Sequence, residues 1–302
     1  MAQERVVYIN GEFLPESQGR ISVSDQGFVH GDAAFDTERT FNGEVFKLKE
    51  HIDRLYQSLK YLRIDPRISK DQMASITVEV VARNAPLLGL NEDYWVTQRV
   101  TRGVPPSEGE EVVPTVVIVC RLLPLKERAR FFRDGIQLMT PSVRRTPPWV
   151  LSPQVKTHNY LNVGIAALEV QDRNPDAWVL LLDEGGNLCE GSSNNLFLVQ
   201  DGVLYTPRKQ MVLAGITRQT VLELAETLNI PAQEKDMDLF EAYSADEMFI
   251  TSSSLCVCPV ISINGITVGS GEIPGPVTKG LMAAFSELAG MDYVEQYLAH
   301  LK

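Results

Sequence analysis

The sequence predicts a two-part α/β fold. A small N-terminal α/β domain spans residues 1–122, a charged interdomain loop spans 123–134, and a larger strand-rich α+β domain spans 135–302. Three observations point there. Leu48, Ile52, Leu55, Leu59 and Leu62 recur every three or four positions, the period of a helix buried along one side. Strand-like runs flank that helix and its neighbour, the alternation that builds a helix-covered sheet. Beyond Gly135 short strands with hairpin turns dominate, including Asn264-Gly265 between Val260–Ile263 and Ile266–Val268, a dipeptide suited to the positive φ of a tight turn.

Each element follows in order. Val7 to Asn10 and Phe13-Leu14 alternate as a hairpin about Gly11-Glu12, and a strand near Phe35 runs to a turn at Asn42-Gly43. The amphipathic helix comes next, with Arg54 beside its apolar stripe rather than on it. A second helix covers Ser69 to Arg83, followed by strands at Tyr94–Thr101 and Thr115–Cys120. The run LPLKERARFFRD carries charge without clean periodicity and reads as the interdomain loop. Strands are then expected at Trp178–Asp183, Leu196–Gln200, Val203–Thr206 and Met248–Thr251, with helices at Gly164–Gln171, Thr217–Leu228 and Val277–Ala289.

A chain of 302 residues with 44% hydrophobic content can bury a sizeable core. Its net charge of −11 disfavours nucleic acid and anionic membrane as partners. No apolar run approaches the roughly 20 residues that span a bilayer. The N-terminus enters a strand pattern without the regions of a signal peptide, so a cytoplasmic protein is expected. Cys120, Cys189, Cys256 and Cys258 lie in apolar or strand-like runs, and Cys-Val-Cys is tighter than a CxxC motif, so free buried thiols are expected. His30, His51, His158 and His300 show no metal spacing, and no metal is expected.

Lys156, in KTHNY, is the residue with chemistry to offer. A lysine does covalent work only where its amine can lose a proton and condense with a carbonyl; most lysines are solvated surface charges. Its downstream partners change that balance. Glu190 opens EGSSNNLF, a carboxylate at a small-residue turn that a planar ligand could approach. Gly215-Ile216-Thr217 opens an amphipathic helix whose backbone N–H groups and hydroxyl suit a phosphate. A lysine, a carboxylate and a phosphate cradle match the aldehyde, ring nitrogen and phosphate of pyridoxal 5′-phosphate.

The stretches HGDAAFDTERTFNG (30–43), HIDRL (51–55), KTHNYLN (156–162), EGSSNNLF (190–197), GITR (215–218), EMFITSSS (247–254) and GPVTK (275–279) resemble the class IV, fold-type IV pyridoxal-phosphate enzymes, in the family's order. The resemblance implies a two-domain fold whose larger domain is a distorted barrel, and a homodimer. It implies that Lys156 binds the cofactor and moves the substrate proton, that Glu190 partners the ring nitrogen, and that Tyr160 bonds the ring hydroxylate. Arg54, Ile216, Thr217 and Ser253 would hold the phosphate. His30, Phe35, Arg39, Trp95, Arg128 and Ser254 would face the substrate.

Within the family, branched-chain enzymes carry an arginine where Thr97 stands here, and the VTRG ending of that strand looks more like D-amino-acid and (R)-selective amine transaminases. The favoured activity is ping-pong transfer of an amino group from an (R)-amine or amino acid to an α-keto acid such as pyruvate. Branched-chain L-amino-acid or D-amino-acid transamination is the alternative, and aminodeoxychorismate lyase chemistry would keep the cofactor. A binding module with Lys156 and Glu190 as a structural ion pair is the non-enzyme alternative. An arginine on a mobile loop would suit a substrate carboxylate that comes and goes. Arg128 leads Arg130, Arg144, Arg145 and the fixed Arg39 for that role.

Overall fold

Val6–Ile9 (β1) and Glu12–Pro15 (β2) form the N-terminal hairpin, in a computed structural model that describes residues 4–108 and 111–301. The chain divides into two compact units, Met1–Leu123 with Val155–Asn159, and Pro124–Gln154 with Tyr160–Lys302.

The first unit adds Ala33–Phe41 (β3), Glu44–Val45 (β4), Tyr94–Val104 (β5) and Val113–Leu122 (β6) to make one antiparallel sheet in the order β2-β1-β6-β5-β3-β4. Its helices are Gln26–His30 (α1), Leu48–Leu62 (α2) and Lys70–Asn84 (α3). A capping box, Ser69 with Gln72, starts α3 one residue inside the expected position. The apolar stripe of α2 buries Ile52, Leu55 and Leu59. With Met73, Val80 and Val81 of α3 they pack on Tyr94, Val96, Val100, Ile118 and Cys120 of the sheet. Side chains alternate along a strand. Ala34, Asp36 and Glu38 therefore share the helix-covered face of β3, and Phe35 and Thr37 point to the other.

The short return at Val155–Asn159 belongs to this unit because its backbone is bonded to the start of β3. The Phe35 N–H donates to the Lys156 carbonyl at 3.0 Å, the His158 N–H donates to the Ala33 carbonyl at 3.0 Å, and Thr157 bridges Ala34. A residue more than a hundred positions away is thus brought beside Phe35.

In the second unit the expected loop at 123–134 is corrected. Leu125–Arg128 (α4) and Arg130–Asp134 (α5) are helices, with Leu125, Phe131 and Phe132 buried and Phe132 stacked on Tyr297 at 4.6 Å. Helices of four and five residues are too short to display a period, so their apolar anchors read as noise. Ile136–Met139 (β7), Trp178–Leu182 (β8), Leu188–Gly191 (β9) and Asn195–Gln200 (β10) follow, then Val203–Thr206 (β11) and Ala232–Glu234 (β12). Glu247–Ser252 (β13), Cys256–Ile263 (β14) and Ile266–Thr267 (β15) complete the strands. The pairings β10-β13-β14-β7-β8-β9 return from β9 to β10 and close a barrel, with β11 and β12 continuing from β10 and β15 on β14. Phe197 of β10 and Phe249 of β13 are cross-strand partners, stacked at 4.9 Å and fully buried. The helices are Leu161–Arg173 (α6), Ile216–Thr227 (α7), Leu239–Ser244 (α8), Pro276–Ala289 (α9) and Tyr293–Leu298 (α10). The four cysteines are buried and none is joined in a disulfide among the described residues. No described helix is long and apolar enough to cross a membrane.

Candidate active site

In the first unit the Lys156 Nζ lies 4.6 Å from the centroid of the Phe35 ring, and the Lys156 N–H donates to Ser58 Oγ at 3.1 Å. Phe35 also packs on the His158 ring at 5.4 Å. The amine is only partly solvated and forms no ion pair among the described residues. Such a setting leaves a lysine nucleophile available to an incoming carbonyl.

Arg54 of α2 lies against the helix-side face of β3. Its Nε and Nη2 donate to the two Asp36 oxygens at 2.8 and 2.6 Å, and Asp36 Oδ1 lies 2.7 Å from His51 Nδ1. Burial alone would raise the Asp36 pKa, but Arg54 and His51 outweigh it and hold the carboxyl well below the usual range. Burial, reinforced by Arg54 and Lys156, lowers His51 against the pull of Asp36. Burial and then Asp36 push Glu38 well upward, a shift opposed by its hydrogen bond from Gln98. The ligand-type atoms of Asp36, Glu38 and His51 lie within 4.8 Å of one another, and Arg54 supplies the positive charge beside them. The cluster locks the Arg54 guanidinium in one orientation.

In the second unit Glu190 lies in strand β9, not in the expected turn. Its Oε1 accepts from Arg145 Nε at 2.9 Å, and its Oε2 accepts from the Leu213 N–H at 2.9 Å and Asn195 Nδ2 at 3.2 Å. Arg145, of the same unit, sets a cation against Glu190. Gly215 precedes α7, whose N-terminus has no side-chain cap, so backbone N–H groups at Ile216 and Thr217 are available to an anion. A Cβ on Gly215 would collide with the Asn195 side chain, so only glycine lets the chain approach there.

The remaining expected residues fall as follows. Tyr160 is 38% exposed at the start of α6, and Ser253 lies in the turn after β13. Ser254 is buried and its Oγ accepts from Arg128 Nη1 at 2.5 Å. Arg128 sits on α4 with its guanidinium 5.5 Å from the Trp178 ring, so the expected mobile-loop arginine is corrected to one anchored on a helix. His30 ends α1 and is exposed; Trp95 is half-buried on β5. Arg39 is a further correction. It is 1% exposed, ion-paired with Asp93 at 3.6 Å and packed over Phe41 at 4.0 Å, so its charge is already engaged inside the unit. Asp36, His51 and Asn195 were given no role from sequence, and Arg145, a candidate there for the substrate carboxylate, is paired instead with Glu190. Asp36 and His51 lie inside the quoted motifs, and an acid on the opposite strand parity from Phe35 was the available signal.

His158 gives a pH-dependent prediction. Burial, then the nearby Arg99, lowers its pKa from 6.5 to about 4. The unfolded chain therefore binds a proton that the folded chain refuses between these values, so stability is full above about pH 6.5 and falls as pH drops towards 4. His158→Asn should flatten the urea-midpoint profile in that window, by at most about 3 kcal/mol. Parallel profiles for the two proteins would refute it.

The first unit offers an amine beside an aromatic ring and a fixed arginine, and the second a multiply bonded carboxylate and a glycine-opened helix N-terminus, residue types that would suit the aldehyde, phosphate and ring nitrogen of pyridoxal phosphate. Comparison with known proteins gives the same answer. The family described as amino-transferase class IV matches residues 33–263. A putative branched-chain-amino-acid aminotransferase of Methanocaldococcus jannaschii is 38% identical over 289 residues, covering 93% of this chain and 96% of that protein. The D-alanine aminotransferase of Bacillus licheniformis is 33% identical over 282 residues, covering 92% and 95%. The crystal structure of the Escherichia coli branched-chain amino acid aminotransferase superposes with a TM-score of 0.85 at 29% identity, covering 95% of each chain. Another branched-chain enzyme that superposes as well, with a TM-score of 0.84, is complexed with N-(5′-phosphopyridoxyl)-L-glutamate. The chain belongs to the class IV aminotransferase family, a fold-type IV enzyme that transfers amino groups with pyridoxal 5′-phosphate as its cofactor.

Proposed function

We propose that the enzyme moves the amino group of a small amino acid or an (R)-amine to an α-keto acid such as pyruvate, with Lys156 as the catalytic residue. The observation that carries this reading is the Lys156 amine, held over Phe35 on the unit that also carries the locked Arg54. The relatives named for branched-chain and D-alanine transamination support an amino-acid donor. One feature favours apolar amines as a second donor class. Thr37 and Thr97 pair through their hydroxyls at 3.1 Å, so two short neutral side chains occupy this part of the sheet.

Bound pyridoxal phosphate supplies an aldehyde that accepts the amino group and a ring that withdraws electrons from the adjacent carbon. The residues do the rest. Lys156 would be the residue that holds the aldehyde end of the cofactor, and its amine would serve as the base that moves the substrate proton. Glu190, its oxygens held by Arg145, Asn195 and the Leu213 N–H, would face the ring nitrogen and favour its protonated form. Arg54, Ile216, Thr217 and Ser253 would hold the phosphate, and Tyr160 would bond the ring hydroxylate. Two-fold assembly is part of the proposal, supported by exposed Val23 and Phe28 at 79% and 75%. Free buried thiols are compatible with work in a reducing cytoplasm.

A panel of D-, L- and (R)-amine donors scored against pyruvate and 2-oxoglutarate tests the reading, and the absence of any exchange would refute it. The Arg54 lock makes a second prediction. Asp36→Asn leaves the guanidinium without its paired carboxylate, and cofactor affinity should fall about tenfold or more, the worth of a charge-assisted hydrogen bond. Unchanged affinity in fluorescence titration would separate Asp36 from the site.

A further inference from the structure

Along β5 the alternation places Trp95, Thr97, Arg99 and Thr101 on the face opposite Tyr94, Val96 and Val100, which pack under the helices. Arg99 is directly opposite Phe35 of β3 and Val117 of β6 in the sheet register. Its guanidinium carbon lies 5.7 Å from the Phe35 centroid, the same ring that carries the Lys156 amine.

The charge on Arg99 is unbalanced. The buried arginines Arg39, Arg54 and Arg218 each face a carboxylate, Asp93, Asp36 and Glu234 respectively. Arg99 has no ion pair among the described residues. Burial, and then repulsion from Arg121, lowers its pKa. His158, beside it, has its Nε2 buried with no hydrogen-bond partner. Both line a cavity of about 330 Å³ whose other walls include Ile21, Val23, Phe28 and Val117. Asp25 also lines it, but its oxygens are taken by the Gly27 N–H and the Thr101 and Thr115 hydroxyls at 2.7, 2.8 and 2.6 Å. A partly desolvated guanidinium without an ion pair, beside apolar walls, suits a small carboxylate with an apolar tail.

We infer that Arg99 receives the substrate carboxylate, making it the residue through which this enzyme selects amino acids and α-keto acids over uncharged amines. The inference rests on the transaminase reading proposed above. Arg99 shares a ring with the reactive amine, so an acid held by its fork stays on the Lys156 side of the sheet. Its planar donors can grip both carboxylate oxygens, which lysine cannot do. An amine lacking the acid group gains nothing from it.

The test uses the holoenzyme and two measurements. Calorimetric titration with propionate, which cannot react, reads the carboxylate site without turnover, and propionamide is the uncharged control. Arg99→Gln should weaken propionate about tenfold or more and change propionamide by less than about twofold, with Arg99→Lys recovering part of the loss. In steady-state assays the same variant should raise KM for pyruvate and for the amino-acid donor while an uncharged amine donor keeps its KM. Equal propionate affinity in wild type and Arg99→Gln overturns the inference, as does loss of propionate binding on Arg128→Gln but not on Arg99→Gln. If Arg99→Gln is poorly folded, Arg99→Lys alone decides, since a merely structural role would weaken propionate and propionamide together. Should wild type exchange no amino group with any keto acid, the transaminase reading fails first, and the propionate titration still reports whether Arg99 binds an acid.

Discussion

Lys156→Ala should lose transamination by about 10³-fold or more while the protein stays folded, because one side chain both attaches the cofactor and carries the proton, and general-base transfer alone is worth about 10²–10⁴. The fold should survive because the bonds that fasten 155–159 to β3 are all backbone: Phe35 N–H to the Lys156 carbonyl, His158 N–H to the Ala33 carbonyl, and the Ala34–Thr157 bridge. The Lys156 side chain adds its packing over Phe35 and a repulsion towards His51, neither of which fastens the segment. Borohydride should fix the cofactor to a peptide containing residue 156 in wild type and to none in the variant. Residual turnover within about tenfold of wild type would place the reactive amine elsewhere.

Glu190→Gln should slow the proton-transfer half-reaction by roughly 10²–10³, the scale of losing one preorganised electrostatic partner. The geometry adds a second consequence. One Glu190 oxygen accepts from Arg145 and the other from the Leu213 N–H and Asn195, three donors around one carboxylate. A glutamine must turn its own NH₂ towards one of them, leaving a donor facing a donor in a site that is 6% exposed. Stability should therefore fall by about 1–3 kcal/mol alongside the rate. Glu190→Asp would keep the charge and shorten the reach, so a larger rate recovery than stability recovery is expected. Single-turnover rates and urea midpoints measured together separate the effects. An unchanged single-turnover rate in Glu190→Gln would remove Glu190 from the chemistry.

Much of the architecture was legible because it repeats locally. The stripe Leu48, Ile52, Leu55, Leu59 predicted α2, and three of its members are buried under the sheet. Asn264-Gly265 marked the turn between β14 and β15. The elements that escaped were short. Four residues of α4 and five of α5 contain too few turns to show a period, and β9 hid Glu190 in what looked like a turn. The arginines divide in the same way. Arg54 was singled out by its motif and proves to be paired with Asp36, whereas Arg39 looked like a carboxylate receptor because nothing near it in sequence reveals Asp93 as its partner.

By itself the sequence determined the cofactor chemistry, the family and the periodic core, because a reactive lysine, an acid and a glycine-led helix entrance in a set order are properties of residue type and spacing. Only the tertiary structure decided which charges are already spent. Asp36 with Arg54, Asp93 with Arg39 and Arg145 with Glu190 join residues 18, 54 and 45 positions apart, and Lys156 reaches Phe35 by backbone bonds to the start of β3. An ion pair depends on distance and dielectric, and neither can be read along a chain before strand register brings its partners together.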